Sequence, residues 1–256
     1  MIGKNKIKLI KSLSFKKYRQ KYGLFLVEGD KNVREILISD YQVNELYATE
    51  NFLESDEKII SHALKINKVN TSELKKASLL VQPQHAMAIC PIPVSKRKIP
   101  GLKKLTLYLD GIQDPGNMGT IIRICDWFGI EELICSPCTA DVYNPKVIQA
   151  SMGSFCRVRI SYMPFEKIAG LAGELKIPVF GTFIEGVNIY KEILPDNALV
   201  VLGNEGCGIS KEASQMIEYK IKIPSFCKKE ESAESLNVAV AAGIVCSEFK
   251  RQTYSK

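Results

Sequence analysis

The stretch ALVVLGNEGCGIS, residues 198–210, decides the fold that we predict for this chain. An apolar run rich in β-branched residues stops at Gly203, and Gly206 and Gly208 follow within the next five residues. A buried strand that ends in a glycine-rich loop is typical of two situations. Either the loop lets the backbone approach a bound small molecule, or it forms a tight structural turn. The glycines alone leave both interpretations open.

Outward from this strand, apolar strands and amphipathic helices alternate along the whole chain. We predict strands at residues 24–27, 45–48, 68–70, 86–90, 105–109, 132–136, 157–161, 178–182, 198–202 and 219–223. We predict helices at residues 9–22, 30–38, 57–65, 72–78, 118–128, 144–151, 164–175, 210–216 and 236–249. This alternation indicates the α/β class with a mostly parallel sheet, in which ligands bind at the carboxyl ends of the strands.

A proline-rich and basic stretch, PIPVSKRKIPGLKK, separates two parts of the chain at residues 91–104. Its three prolines and five basic residues are typical of a linker. We therefore predict an N-terminal α/β domain at residues 1–92, a linker at 93–104 and a second domain at 105–256.

The composition is that of a soluble globular protein, with 46% apolar and 25% charged residues and no apolar run of 18 or more. The basic start lacks the apolar core of a secretory signal, so we expect a cytoplasmic protein without a membrane segment. The eight cysteines are scattered, and we expect them to be reduced. Cys135 and Cys138 form a CxxC, but no second pair lies at zinc spacing, so we expect no metal.

Basic residues concentrate in the first part of the chain. Residues 1–104 contain 20 Lys and Arg against 10 Asp and Glu, whereas residues 105–256 contain 15 against 18. A basic domain of this kind favours a polyanion as partner, and its basic N-terminal segment has the composition of a nucleic-acid contact surface. Four of the residues that we predict to contact this partner lie around Tyr18, and the fifth lies in the next predicted helix. They are Lys16, Lys17, Arg19, Lys21 and Arg34. The alternative is an ordinary solvated helix face.

The glycine loop does not match the common nucleotide-binding motifs. GNEGCGIS has the glycine spacing of a phosphate loop, but Ile209 stands where the lysine is required. The glycine order also differs from that of a dinucleotide-binding loop, so ATP and NAD are disfavoured and a nucleoside-like ligand is not. Because the only two histidines lie in the first domain, a nucleophile activated by histidine is disfavoured as well.

What remains is a set of polar residues beside the glycine turns at predicted strand ends. They form three pairs: Asn117 with Arg123, Asn204 with Glu205, and Ser235 with Asn237. Arg123 lies among isoleucines, which suits either a surface arginine with a buried stem or a guanidinium that binds a phosphate.

At these residues the sequence resembles the SpoU, or TrmH, family of S-adenosylmethionine-dependent RNA 2′-O-ribose methyltransferases, a branch of the SPOUT superfamily. Three blocks match in order: DPGNMGTIIRICDWFGI with the family's Asn-x-Gly-x-x-x-Arg motif, LVVLGNEGCGIS with its glycine-rich motif, and IKIP…ESLNVAVAAGI with its Ser-Leu-Asn-Val motif. The stretch KYRQKYGLFLVEGDKNVREIL is similar to the substrate-binding domain that many members carry, a fold akin to some ribosomal proteins.

The resemblance implies a deep trefoil knot, a homodimer with the active site at its interface, and S-adenosylmethionine as cofactor. It places the cofactor at five positions: Thr182, Leu202, Gly203, Ile223 and Leu236. It assigns Arg123 to the ribose 2′-hydroxyl or the adjacent phosphate. It assigns the orientation of Arg123 and the target nucleotide to four further residues: Asn117, Glu205, Ser235 and Asn237. The segment 225–234 is longer than is usual in the family, and VAVAAG replaces the commoner Val-Ser-Val.

The function implied is methyl transfer to a ribose 2′-hydroxyl of structured RNA, ribosomal RNA being favoured over transfer RNA, without a metal ion. Two alternatives stay open. One is a non-catalytic RNA-binding or assembly protein that keeps the fold. The other is a nucleotide-binding enzyme of ordinary doubly wound topology, which would lack the knot.

Overall fold

A computed structural model of the chain describes residues 1–55, 57–93, 101–102, 104–227 and 234–254. The chain divides into two compact units. The first contains Met1–Lys98 and Asp141–Arg157, and the second contains Ile99–Ala140 and Val158–Lys256. Most of the predicted linker, 93–104, lies outside the described residues. Within those residues, none of the helices has the length and hydropathy that crossing a membrane requires.

Helices and strands alternate along the described chain much as predicted. The helices are α1 Lys4–Ser12, α2 Lys16–Tyr22, α3 Asp30–Leu37, α4 Glu50–Glu54, α5 Glu57–Ile60, α6 Thr71–Ala77, α7 Pro115–Trp127, α8 Pro145–Ser151, α9 Phe165–Glu174, α10 Lys211–Ser214 and α11 Val238–Tyr254. The strands are β1 Leu24–Glu28, β2 Glu45–Ala48, β3 Ile66–Lys68, β4 Ala86–Pro91, β5 Thr106–Asp110, β6 Glu132–Cys135, β7 Arg159–Tyr162, β8 Val179–Asn188, β9 Leu199–Gly203 and β10 Tyr219–Lys222.

The first unit is built on a mixed sheet with the strand order β1-β4-β2-β3. Strand β4 is antiparallel to β1 and β2, and β2 is parallel to β3. The carboxyl ends of β1, β2 and β3 therefore meet at one edge, where β4 begins. Buried side chains such as Leu26, Tyr47 and Met87 form the core with Ile10 and Leu74 from the helices.

The segment Asp141–Arg157 packs in the first unit, although we predicted it within the second domain. Aromatic rings explain this placement. The ring of Phe25 lies 4.6 Å from that of Tyr143 and 6.4 Å from that of Phe155, measured between centroids. Arg157 forms an ion pair with Glu35 on α3. The first unit is thus completed by a piece of chain from beyond the predicted linker.

The predicted helix 9–22 is broken into α1 and α2, and this prediction is wrong at residues 13–15. Neither proline nor glycine causes the break. The Arg19 guanidinium donates hydrogen bonds to the carbonyl oxygens of Leu13, at 2.8 Å, and Ser14, at 2.9 Å, just beyond the end of α1. Its contacts stabilise the interruption by satisfying carbonyl groups that a continuous helix would pair internally.

The second unit contains a parallel sheet with the order β10-β8-β9-β5-β6-β7, and the predicted α/β class is confirmed. Helix α7 begins at Pro115, because the Asp114 side chain accepts a hydrogen bond from the Asn117 N–H and proline suits the first helical position. Residues 114–116, predicted as a turn, therefore start the helix. Along β8, residues 182–186 leave the ladder with β10, since Gly181 pairs with Lys220 and Val187 with Ile221.

Candidate active site

The loops after β5 and β9 are tied together at the carboxyl edge of the sheet. These two strands pair side by side, with Asp110 opposite Gly203. The Asn204 side chain donates a hydrogen bond of 2.7 Å to the Gly111 carbonyl, and the Asp110 carboxylate accepts one of 2.8 Å from the Ser210 N–H. From the sequence we listed Asn204 among the polar candidates without giving it a role, and we did not list Asp110. Its position directly after a predicted strand could have indicated that Asp110 lies at the site.

The glycine loop closes on itself as a tight turn. Asn204 and Gly208 exchange two backbone hydrogen bonds of 2.9 Å, and the Asn204 side chain accepts another from the Gly206 N–H. A Cβ on Gly203 would lie 2.3 Å from the Gly208 carbonyl carbon and from the Ile209 nitrogen. The structural-turn interpretation therefore holds for Gly203, whose backbone meets the returning chain without room for a side chain.

Three of the predicted catalytic side chains form one hydrogen-bonded chain. The Asn117 amide nitrogen donates to a Glu205 carboxylate oxygen at 2.8 Å, and the Asn237 amide nitrogen donates to the Asn117 amide oxygen at 2.9 Å. The Asn237 oxygen accepts the Ala239 N–H at 2.9 Å, which fixes it at the start of α11. Each residue comes from a different motif block. The start of α7, the glycine loop and the start of α11 therefore meet at one place.

Arg123 and Ser235 are not part of this chain. Arg123 is exposed on α7, about 9 Å along the helix axis from Asn117, and forms no hydrogen bond or ion pair with another described residue. Its guanidinium is accessible to an anion from solution. Ser235 is exposed and precedes α11, directly after residues 228–233, which lie outside the described part. The predicted long loop 225–234 falls largely on those residues.

The predicted cofactor residues lie at neighbouring strand ends. Gly203 ends β9, Thr182 lies where β8 leaves its ladder, and Ile223 follows β10, and these strands are adjacent in the sheet. The Thr182 hydroxyl donates to the Val201 carbonyl at 3.2 Å. Leu202 is buried, whereas Leu236 is 50% exposed. Backbone groups at these strand ends, together with an uncovered apolar side chain, fit the adenosine part of S-adenosylmethionine.

The exposed basic residues predicted to contact RNA lie on α2. The side chains of Lys16, Lys17 and Lys21 are exposed. The rings of Tyr18 and Tyr22 stack at a centroid distance of 6.1 Å, and the Lys17 ammonium lies 4.9 Å from the centre of the Tyr18 ring. Positive charge and aromatic faces together are the groups that bind phosphates and unpaired bases.

Arg19 is placed differently from the prediction. Its side chain is 2% exposed, and its guanidinium pairs with Asp141 at 2.6 Å, so the prediction of an RNA contact at Arg19 is wrong. Arg34 is partly engaged as well, since its guanidinium lies 4.7 Å from the centre of the Phe52 ring and donates to the Ser55 hydroxyl. The burial of Arg19 depends on its pairing with the distant residue Asp141, and no feature of residues 16–21 predicts it.

Comparison with known proteins gives matches over both units. The family described as the SpoU rRNA Methylase family matches residues 104–247, and the MRM3-like substrate binding domain matches residues 4–88. The 23S rRNA (guanosine(2553)-2′-O)-methyltransferase RlmP of Bacillus subtilis is 31% identical, over 94% of each chain.

Solved structures match over the same extent. A TrmH-family protein from Porphyromonas gingivalis superposes with a TM-score of 0.88 at 38% identity, covering 98% of this chain and 99% of that one. An AdoMet-bound rRNA methyltransferase from Sinorhizobium meliloti superposes with a TM-score of 0.83 at 25% identity, covering 96% and 94%.

Proposed function

The chain belongs to the SpoU rRNA methylase family, and we propose on this basis that it transfers a methyl group from S-adenosylmethionine to a ribose 2′-hydroxyl of 23S ribosomal RNA. The observation that carries the proposal is the hydrogen-bonded chain from Glu205 through Asn117 to Asn237. It assembles polar groups from all three motif blocks at the strand ends where ligands of parallel sheets bind. The relative from Bacillus subtilis, named for 23S rRNA, supports ribosomal over transfer RNA.

The strand ends of β8, β9 and β10 would hold the cofactor, which supplies the electrophilic methyl group when bound. Backbone groups around Thr182, Gly203 and Ile223 provide uncharged hydrogen-bonding positions. The exposed side chain of Leu236 provides apolar surface for the adenine ring, whereas Leu202, whose side chain is buried, contributes backbone groups. The tight turn at Gly203 keeps its backbone in place before the ligand arrives, which lowers the ordering cost of binding.

Arg123 binds the phosphate next to the target ribose. A guanidinium remains protonated in neutral water and matches a phosphate with two parallel N–H donors. Arg123 therefore orients the nucleotide and stabilises negative charge as it develops on the 2′-oxygen. The 2′-hydroxyl proton leaves to solvent or to a neighbouring group. Asn117, Glu205 and Asn237, which are joined by hydrogen bonds, orient the target nucleotide together with the exposed Ser235.

We propose that a second copy of the chain covers a groove beside this site. The groove, of about 470 Å³, lies between α7 and α11 and is lined by Thr120, Ile124, Val240 and Gly243, with Asn117 and Asn237 at the site itself. Small and β-branched residues permit close packing of helices. Sedimentation at micromolar concentration should give a dimer, and a monomer that is fully active would contradict this proposal.

We also propose a trefoil knot and a cytoplasmic location. The trefoil knot is supported by membership of the SpoU rRNA methylase family, and an experimental trace of the chain through residues 225–234 would test it. Cytoplasmic location is supported by the eight cysteines, all of which are free. Fractionation of cells with detection of the protein would test the location.

The decisive experiment measures methyl transfer from labelled S-adenosylmethionine to 23S rRNA purified from cells that lack the gene. Arg123→Ala should lower the rate about 100-fold or more, while calorimetric titration finds unchanged cofactor affinity. Arg159→Ala, which removes an exposed arginine on the edge strand β7, is the matched control and should stay active.

Each outcome has one interpretation. A fully active Arg123→Ala variant refutes the role of Arg123. A wild-type protein that binds RNA, but neither binds millimolar cofactor nor methylates RNA, favours the non-catalytic alternative. Mapping of 2′-O-methyl positions in total RNA with and without the gene then identifies the nucleotide.

A further inference from the structure

The first unit contains a polar pocket of about 450 Å³ at the edge where β2 and β3 end and β4 begins. Thr49 follows β2, Asn70 follows β3 and His85 precedes β4, and all three line the pocket. The backbone there is fixed, since the Thr49 N–H donates to the His85 carbonyl at 2.9 Å and the His85 N–H donates to the Asp30 carboxylate at 2.8 Å. Its volume falls in the range of about 300–1,000 Å³ that is usual for ligand pockets.

The charged side chains of the pocket are already paired within the protein. Glu50 forms an ion pair with Lys68. Glu73 accepts hydrogen bonds from the backbone N–H groups of Asn70, at 3.0 Å, and Ile2, at 3.2 Å. Two carboxylates and one paired ammonium do not attract a phosphate. The remaining groups of the pocket can bind a ligand through hydrogen bonds.

Several other polar side chains of the pocket are unpaired. Thr49 is 9% exposed, and its buried hydroxyl oxygen has no hydrogen-bond partner among the described residues. Asn51 and His85 are exposed, and neither side chain hydrogen-bonds to another residue of the described chain. Burying a hydroxyl without a partner is unfavourable, and native structures contain few such groups. Because Thr49 lines the pocket, rotation of its side chain would bring this buried hydroxyl to a ligand there and give it the missing partner.

We propose that this pocket binds an unpaired nucleobase of the ribosomal RNA substrate, with Thr49, Asn51 and His85 as the groups that recognise its edge. The proposal rests on the proposed function for the identity of the ligand as RNA. Sequence-specific recognition of RNA relies on unstacked bases that are hydrogen-bonded along their edges. The exposed lysines of α2, in the same unit, supply phosphate contacts, so the two surfaces divide base recognition from backbone binding.

The test measures the affinity for 23S rRNA, purified from cells that lack the gene, without S-adenosylmethionine. Thr49→Val removes the hydroxyl and keeps the shape, and Asn51→Ala changes an exposed residue. Each should raise the Kd about five- to tenfold. Asn44→Ala is the matched control, because Asn44 lies at the other end of β2 in the same unit, and it should bind as the wild type does.

Two further readouts separate base recognition from other roles. The Tm of free Thr49→Val should be unchanged or higher, because the variant no longer buries an unpaired hydroxyl. The dependence of affinity on salt should keep its slope, since no phosphate contact is lost, whereas alanine at Lys16, Lys17 and Lys21 together should lower that slope.

Wild-type affinity in both pocket variants would overturn the inference. A lowered Tm in Thr49→Val with the same loss of affinity would also overturn it, as would a reduced salt slope, which would indicate phosphate contact. A wild-type protein that binds the RNA and transfers no methyl group would refute the proposed function. The pocket would still be tested by its variants in that case, because the binding assay contains no cofactor.

Discussion

The buried pair of Arg19 and Asp141 makes the first unit depend on a segment from the middle of the chain. One Asp141 carboxylate oxygen accepts hydrogen bonds from the Arg19 guanidinium at 2.6 and 3.1 Å. The same guanidinium also donates to the carbonyls of Leu13 and Ser14. Arg19 is 2% exposed at its side chain, and Asp141 is 19% exposed. Replacing Arg19 by Met keeps the apolar stem and removes all four hydrogen bonds.

The expected loss follows from this burial. Removing one partner of a fully buried ion pair costs about 3–5 kcal/mol, because the other charge is left without compensation. Water partly hydrates the Asp141 carboxylate, so we expect a value at the lower end, about 3 kcal/mol of unfolding free energy. Arg19→Lys should lose less, because an ammonium keeps the charge but lacks the planar set of donors.

Urea unfolding followed by circular dichroism measures this change. Lys17→Met, which alters an exposed residue of the same helix, is the control and should stay within about 0.5 kcal/mol of the wild type. A loss below about 1 kcal/mol for Arg19→Met would refute the reasoning. Unchanged stability with abolished RNA binding would instead restore the RNA contact that the sequence predicted for Arg19.

Two other predictions follow from single positions. Gly203→Ala should lower the Tm and abolish cofactor binding in a calorimetric titration, because its Cβ would lie 2.3 Å from backbone atoms; Gly206→Ala, whose nearest contact is 3.6 Å, should do neither. Burial raises the pKa of Glu28 above its ordinary value of 4.5, although hydrogen bonds from Ser78 and Leu79 act to lower it. The protonated carboxyl therefore contributes stability that is fully present below pH 4.5. This contribution is lost as the pH rises through the folded pKa. Relative to Glu28→Gln, the wild type should therefore become less stable as pH rises, and a difference in urea midpoint that does not vary with pH would contradict this.

Local signals predicted most of the fold. The strand predicted at residues 45–48 is β2, because a short apolar run between polar residues leaves few alternatives. The start of α7 was also readable, since Asp114 and Pro115 form a standard helix start, although we interpreted them as a turn. The break between α1 and α2 was not readable, since the Arg19 that stabilises it pairs with a residue 122 positions away.

Some residues of the candidate sites could be predicted from the sequence, and others could not. Asn117, Glu205 and Asn237 meet because motifs at strand and helix ends of one parallel sheet converge at one edge, and the sequence predicted this from the motifs. Thr49 could not be singled out, because its importance comes from burial without a partner, which only coordinates reveal. Asp110 was predicted in part, since the sequence predicted the end of its strand but not its hydrogen bond with the Ser210 N–H.

The first unit includes residues 141–157, and this affects how RNA binding can be tested. Deleting residues 1–104 would expose the rings of Tyr143 and Phe155, which pack against Phe25, and would leave Asp141 without Arg19. Lost RNA binding in such a truncated protein would then report damage to the remaining chain as readily as loss of an RNA contact. Substitutions at exposed or isosteric positions avoid this ambiguity. Alanine at the α2 lysines tests phosphate binding and Thr49→Val tests base recognition, both in a protein whose two units stay intact.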